Sequence, residues 1–317
     1  AEGAYIANEI LTGYGKGKRL SDFAILYRVN AISNSIEQVL TRNSIPYKVI
    51  GGAKFFDREE VKDMLSYLCL IHNTADDLRL RRIINVPSRK IGDTTVSLIS
   101  QIAESYNISM FEVIEHVDNF PELSKAKERL REFYRMITDM REYMKENSIS
   151  ELYEKLLDET HYIDHLLIHR TEKADIKIEN IRELQSNIVE YENRTEEPSL
   201  FGFLDEVALI TDLDNLNDDS DAVLLMSIHS SKGLEFDTVF IAGVEESIFP
   251  SYQSSFDPEG IEEERRLFYV AATRAKRKLF LLHSKSRMLF GRTNQNLPSR
   301  FLEEIPEHLI DAPTRSF

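Results

Sequence analysis

Strand-like and helical segments alternate at both ends of this 317-residue chain, and a long stretch without strands separates the two ends. Near the start, Phe23 to Arg28 (FAILYR) and Ile45 to Gly51 (IPYKVIG) are short apolar runs typical of strands, and helical spacing follows each of them. Three later runs repeat the strand pattern: VLLMSI at 223–228, TVFIAGV at 238–244 and KLFLLHS at 278–284. This alternation predicts an α/β domain with a mostly parallel sheet.

The middle of the chain has a different character. Amphipathic helical patterns follow one another there without a strand between them. We therefore predict one α/β domain, residues 1–90 and 220–317, that is interrupted by a mostly α-helical domain, residues 91–219. An acidic run, Asp212 to Asp221, is expected to be a loop at the return.

Composition excludes several classes of protein. With 42% hydrophobic residues the chain can bury a core, and its single cysteine, Cys69, excludes a disulfide framework and a cysteine-based zinc site. No apolar run approaches the roughly 18 residues of a membrane span, and the start lacks a signal pattern. We expect a cytoplasmic protein with no membrane partner and no metal site of its own.

The net charge of −15 hides two basic segments. Arg79 to Lys90 holds five basic residues and no acidic one, and Arg265 to Lys278 holds six and no acidic one. Such runs suit nucleic-acid phosphates, but they also occur as solvated helix faces. Charge alone leaves both interpretations open.

Polar residues follow or precede the predicted strands. Ligands of open α/β sheets bind beyond the carboxyl ends of the strands, so we expect Tyr27, Arg28, the loop from His229 to Glu235, and Arg274 to meet at that edge. Guanidinium groups suit phosphate, a carboxylate suits ribose hydroxyls, and a tyrosine ring can stack on a base. Each residue also has a plain alternative, a surface charge for the arginines and a core position for the tyrosine.

Longer segments carry more information. The segments IHSSKGLEFDTVFIAGVEESIFP and EEERRLFYVAATRAKRKL closely resemble the last two motifs of the UvrD/PcrA/Rep family of superfamily 1A DNA helicases. ILYRVNAISNSIEQVL, INVPSRKIGDTT, IKIENIREL and SRFLEEIP resemble other segments of that family in the same order. The resemblance covers nearly the whole chain, and it implies a RecA-like fold for the α/β domain.

The resemblance also implies roles for individual residues. Tyr27 and Arg28 are expected to stack on adenine and to reach the γ-phosphate, Glu235 to contact the sugar, and Arg274 to act as the arginine finger. The predicted DNA contacts are His229, Phe290, Arg89, Lys90 and Lys177. Lys232, in the same loop as His229, has no role that we can assign.

The sequence lacks two parts that ATP hydrolysis needs. G-x-x-x-x-G-K-[ST] does not occur, because Gly13 to Lys18 (GYGKGK) has neither the spacing nor the hydroxyl that would hold Mg²⁺, and no acidic pair follows a buried strand. In the family these parts belong to the first RecA-like domain. We therefore expect the chain to be the C-terminal half of a helicase, inactive alone, with the ligands of Mg²⁺ in the other half.

One segment departs from the family. Arg89-Lys90-Ile91-Gly92 occupies the place where Arg-Gly-Ile-Gly is common, so a tight turn that could approach a phosphate has a charged residue in place of a glycine. A contact with duplex phosphate there remains an expectation.

Together these features predict an ATP-dependent 3′-to-5′ DNA helicase or translocase that acts in repair or replication. The expected partners are single-stranded DNA, the junction of single-stranded and duplex DNA, the N-terminal RecA-like half of the same protein, and repair proteins. The alternative is a stand-alone DNA-binding or partner-docking module without a nucleotide role.

Overall fold

The structure is a computed structural model that describes residues 2–168, 171–216, 221–289 and 292–311. Within these residues no helix is both long enough and apolar enough to cross a membrane.

Five parallel strands form the main sheet, in the order β2-β3-β1-β4-β5. Their bounds are β1 Phe23–Tyr27, β2 Tyr47–Ile50, β3 Val223–Ser227, β4 Phe236–Ala242 and β5 Ala275–Leu281. Every residue of β1 and β4 is buried, as expected for strands covered on both faces in a parallel sheet. The predicted mixed α/β fold with a mostly parallel, RecA-like sheet is confirmed.

Helices cover both faces of the sheet. On one face, α1 (Glu2–Gly15) and α2 (Ala31–Arg42) pack over alternate strand residues such as Ile25 and Phe240. On the other face, α12 (Pro258–Ala272) packs over residues such as Leu26. Because successive strand residues point to opposite faces, neighbours along β1 belong to different cores.

Strand β5 is an outermost strand of the sheet, and it exposes charged residues. Lys276, Arg277 and Lys278 are exposed along this strand, and a charged edge strand resists pairing with other chains. A separate antiparallel hairpin follows, formed by β6 (Arg287–Leu289) and β7 (Arg292–Asn294).

The middle of the chain is helical, as predicted. Its helices are α3 Glu59–His72, α4 Asp77–Ile83, α5 Asp93–Tyr106, α6 Met110–Glu115, α7 Lys127–Met144, α8 Ile149–Thr160, α9 Tyr162–Leu167, α10 Glu172–Arg194 and α11 Leu200–Leu216. Capping boxes fix two of the starts, since Ser109 pairs with Glu112 at α6 and Ser148 with Glu151 at α8.

Packing divides the chain into two compact units. One is Ala1–Asp57 with Ala208–Phe317, and the other is Arg58–Val207. Residues 58–90, which we assigned to the α/β domain, belong to the helical unit, where the Tyr162 hydroxyl donates to Asp63 at 2.6 Å and Arg81 donates to the Ser100 hydroxyl.

The acidic run begins differently from its prediction. Helix α11 continues to Leu216, so the loop that we predicted from Asp212 is helical over its first residues. Leu213 and Leu216 continue the helical spacing set by Phe203, Val207 and Ile210, which the charges around them obscure. Residues 217–220 lie outside the described part of the chain.

Candidate functional site

Arg274 and Glu235 lie beside each other at the amino ends of two adjacent strands. Arg274 precedes β5 and Glu235 precedes β4, and the Phe236 amide donates to the Arg274 carbonyl at 2.9 Å. The Arg274 guanidinium donates to the Leu234 carbonyl at 2.9 Å and, at the end of α12, to the Val270 carbonyl at 3.0 Å. Glu235 is exposed, so an arginine and a carboxylate are available together at this edge.

A second ionic cluster stabilises the start of β4. The Asp237 carboxylate accepts from Lys18 Nζ at 2.6 Å and from Arg277 Nε. The hydrogen bonds from Arg277 and then from Lys18 lower the pKa of Asp237 to about 2, so this carboxylate stays charged at neutral pH. The Gly13–Lys18 segment thus contributes a lysine to this edge, although it is not a phosphate-binding loop.

The loop that joins β3 to β4 runs from the carboxyl edge of the sheet, where the parallel strands end, to the amino edge, where they begin. It starts at the carboxyl end of β3, where Ile228 N donates to the Tyr27 carbonyl at 3.0 Å, and it forms a 3-10 turn at His229–Ser231. It then turns through Gly233, whose φ of +85° explains why a glycine stands there. His229 is exposed at the carboxyl edge, whereas Glu235 is exposed at the amino edge.

Arg28 binds a buried carboxylate. Its Nη2 lies 2.9 Å from Glu264 Oε1, and its Nε lies 3.2 Å from both carboxylate oxygens. The Glu264 side chain is 3% exposed, and the Ser254 hydroxyl also donates to it, at 3.3 Å. Because Arg28 follows β1, this pair lies at the carboxyl edge and ties that edge to α12.

Tyr27 is in the core. Its ring is 2% exposed and belongs to the cluster under α1 and α2, together with Ile32 and Leu40. The plain alternative, a core tyrosine, therefore describes this side chain, and stacking on a base would require the ring to leave the core.

The expected meeting of all these residues at one edge is wrong for Glu235 and Arg274. Tyr27 pairs with Ala242 at the end of β4, whereas Phe236 at its start pairs with Ala275. The seven residues of β4, at about 3.3 Å each, separate the edges by about 20 Å. The structure thus places Arg274 next to the chain at Glu235, binds Arg28 to Glu264, and keeps the two pairs apart.

Sequence reasoning missed Glu264, although a signal for it exists. Glu264 is spaced three, four and seven residues before Leu267, Phe268 and Ala271, which form the face of α12 that packs on the sheet. A carboxylate in such a stripe is buried and needs a partner. Arg28 is that partner.

Two of the predicted duplex contacts, Lys177 and Lys90, lie in the helical unit and differ in whether they have an ionic partner. Lys177 Nζ is 2.6 Å from Glu59 Oε2, and this hydrogen bond lowers the pKa of Glu59 and raises that of Lys177. Lys90 is exposed at φ +58°. Phe290, a predicted single-strand contact, lies outside the described residues.

The Arg89 guanidinium points inward. It donates to the Tyr67 hydroxyl at 2.7 Å and to the Ile83 and Pro87 carbonyls at 3.1 and 3.3 Å. Its observed partners are therefore protein groups rather than the phosphate that we predicted.

The backbone of Lys90 has φ +58°, a left-handed conformation that favours glycine. A non-glycine residue at positive φ costs about 1–2 kcal/mol, partly offset by the greater entropy of glycine in the unfolded chain. We expect Lys90→Gly to raise the free energy of unfolding of the 317-residue chain by roughly 0.5–1 kcal/mol, measured by urea denaturation. Lys90→Ala is the control, since alanine keeps the strain; equal stability of the two variants would show that the turn is not strained.

No group of three or more histidine, cysteine, aspartate or glutamate side chains is placed to hold a metal ion within the described residues. The described side chains thus offer no cluster of carboxylates that fits Mg²⁺.

The fold and its loops define the class: a RecA-like parallel α/β domain interrupted by a helical segment. The family model of the UvrD-like helicase C-terminal domain matches residues 1–286. The chain is 43% identical to the ATP-dependent DNA helicase PcrA of Staphylococcus epidermidis over 317 residues, with 99% of this chain and 43% of that protein covered. The proteins of the same name from Bacillus subtilis and Staphylococcus aureus are 42% and 41% identical, each with 98% of this chain and 43% of the relative covered.

The chain belongs to the UvrD-like helicase C-terminal domain family. It spans less than half the length of the relatives it matches.

Proposed function

We propose that this chain is the C-terminal part of an ATP-dependent 3′-to-5′ DNA helicase that acts in repair or replication. Membership of the family and the names of its relatives support this proposal. The observation that carries it is the pair formed by Arg274 and Glu235, an arginine fixed by hydrogen bonds beside an exposed carboxylate at the amino edge of the sheet.

In the proposed mechanism, the amino edge faces ATP. Arg274 neutralises charge that develops on the transferred phosphoryl group, and Glu235 binds the ribose hydroxyls. The hydrogen bond from Arg274 to the Leu234 carbonyl links the two groups, so that phosphate and sugar are bound by one rigid unit. Arg28 and Tyr27 are left out of this site, because they lie at the other edge.

The phosphate cradle and the Mg²⁺ ligands are proposed to come from an N-terminal RecA-like half of the same protein. Mg²⁺ would neutralise phosphate charge there, and the described residues of this chain would not ligate it.

DNA is proposed to contact other parts of the chain. His229 is an exposed side chain at the carboxyl edge, which suits contact with single-stranded DNA that passes beyond the ends of the β-strands. Lys90 and Lys177, in the helical unit, are proposed to bind phosphates of the duplex at its junction with the single strand. Phe290 stays a predicted stacking residue. A protein with these substrates works where DNA is, and we propose the cytoplasm.

The alternative, a DNA-binding or partner-docking module without a nucleotide role, gives no reason for a half-buried Arg274 to be fixed beside an exposed Glu235. Binding experiments separate the two. A module would bind DNA equally with and without nucleotide in the complete protein, whereas a helicase would change its DNA affinity with the nucleotide state.

The 317-residue chain alone is expected to show no DNA-stimulated ATP hydrolysis, because phosphoryl transfer needs the phosphate cradle and Mg²⁺ as well as an arginine finger. Phosphate release would be measured with and without single-stranded DNA. The complete protein is the positive control. Turnover by the chain that disappears in Arg274→Ala would contradict the proposal that the site is split between two halves.

A further inference from the structure

Most of the basic side chains between Arg79 and Lys90 are paired with other groups of the protein. Arg79 lies 4.0 Å from Asp76, Arg81 donates to the Ser100 hydroxyl, and Arg82 donates to Asp63 at 2.7 Å. Arg89 is likewise occupied. Within the described part of the chain, Lys90 is the one basic side chain of this run without an acidic or hydrogen-bonding partner. Four of the five basic side chains of the run are therefore paired within the protein, and Lys90 at its end is the exception.

The contacts of Arg89 hold the end of α4 and the turn that follows it. Its Nη1 donates to the carbonyls of Ile83 and Pro87, before and within the turn. The guanidinium also lies over the rings of Tyr67 and Phe133, at 5.7 and 5.5 Å from their centroids. A planar guanidinium can satisfy several carbonyls and two rings at once, whereas a lysine ammonium cannot.

Tyr67 completes this arrangement. Its hydroxyl donates to the Val86 carbonyl and accepts from Arg89 Nη2. Burial raises the pKa of Tyr67 to about 12, against the effect of the Arg89 charge, so the hydroxyl keeps the proton that it donates.

The backbone on both sides of Lys90 is fixed as well. The Asn85 side-chain oxygen accepts from the Arg89 amide at 2.8 Å and from the Ile91 amide at 3.1 Å. The Lys90 carbonyl accepts from Arg129 Nη1 at 3.2 Å. Lys90 thus stands at the tip of a turn in which its neighbours are held, and its positive φ directs the chain through that tip.

We propose that Arg89 is a positioning residue, which holds the 83–91 turn so that Lys90 is presented to duplex phosphate, and that it does not contact DNA. This inference deepens the proposed function and rests on its duplex contact. Arg89 would therefore act through Lys90: Arg89 fixes the shape of the turn, and Lys90 supplies the charge that binds phosphate.

The test is a double-mutant cycle in the complete protein, with Arg89→Lys, Lys90→Gly and the two combined. Glycine suits the positive φ of Lys90, so Lys90→Gly removes the charge and keeps the turn. Arg89→Lys keeps the positive charge but removes the planar guanidinium that holds the turn. Affinity is measured across a salt series for a duplex with a 3′ single-stranded tail and for the single strand. Arg81→Lys is the matched control, because Arg81 bonds Ser100 in α5.

Lys90→Gly should reduce the salt slope on the tailed duplex by about 0.9, which is the loss of one phosphate contact, and leave the slope on the single strand unchanged. Arg89→Lys should weaken binding to the tailed duplex by up to the same factor as Lys90→Gly. The double variant should bind no more weakly than Lys90→Gly, because Arg89 acts through Lys90. Arg81→Lys should match the parent protein.

Two results would overturn the inference. If Arg89→Lys weakens binding to the tailed duplex equally in the parent protein and in Lys90→Gly, then Arg89 contacts DNA itself. Unchanged hydrogen exchange at the Ile91 amide in Arg89→Lys would show that the turn does not depend on the guanidinium. If the slope is unchanged in Lys90→Gly but Ile91 exchanges faster in Arg89→Lys, the duplex contact of the proposed function is wrong, while Arg89 still holds the turn.

Discussion

In the complete protein, Arg274→Ala is expected to lower kcat for DNA-stimulated ATP hydrolysis by ~10³-fold or more, with single-strand affinity nearly unchanged. An arginine finger contributes this much because it neutralises charge that appears only in the transition state. Steady-state hydrolysis and single-strand binding by fluorescence anisotropy would be measured together. Arg274→Lys should recover little activity, because an ammonium cannot reproduce the fork that also binds the Leu234 and Val270 carbonyls.

Arg277→Ala is the matched control for this experiment. Arg277 lies three residues further along the chain at the same edge, but its guanidinium binds Asp237, and Lys18 remains to pair with that carboxylate. Its kcat should stay within a few-fold of the parent value. Survival of ATP hydrolysis in Arg274→Ala with loss of DNA binding would assign Arg274 to the nucleic acid.

Arg28→Ala should act on stability. Removing the guanidinium leaves the Glu264 carboxylate, 3% exposed, without its cation, and breaking a buried ion pair in this way costs about 3–5 kcal/mol. The midpoint of urea unfolding of the 317-residue chain should fall accordingly. Arg266→Ala provides the comparison, because Arg266 pairs with Glu263 on the exposed surface of the same helix and should cost well under 1 kcal/mol.

The double variant Arg28→Met with Glu264→Leu should regain much of the lost stability, since it removes both charges. The resemblance gave Arg28 a different role, contact with the γ-phosphate. If Arg28→Ala left stability unchanged and lowered kcat by ~10³-fold, that role would be correct, and the separation of the two sheet edges would not exclude Arg28 from the nucleotide.

Local patterns were sufficient to predict the elements of the fold. Apolar runs of six or seven residues predicted the five strands of the main sheet, and helical stripes predicted most of the long helices, because burial leaves a direct record in the sequence. The helical middle was predicted for the same reason. Local patterns do not show at which edge of the sheet a loop residue lies. That depends on the order of the strands, which is β3-β1-β4-β5 in this part of the sheet.

The differences between the predicted and the observed positions of the site residues follow from this. Glu235 comes after β3 in sequence, which suggested the carboxyl edge, but it enters β4 from the amino edge because the loop crosses the sheet before it. Tyr27 was read as a stacking residue since it ends a strand, yet all five residues of β1 are buried and no alternation marks an open side. Arg89 was predicted to contact DNA, because composition gives the number of guanidinium groups and not their hydrogen-bond partners, which here are protein groups.

The loop between β3 and β4 has eight residues, 228–235, with which to cover about 20 Å from edge to edge, and two turns shorten it. Its contour length therefore barely exceeds the distance between its ends. Because this segment has little spare length, we expect a displacement of Glu235 to move His229 as well, instead of being absorbed entirely within the loop.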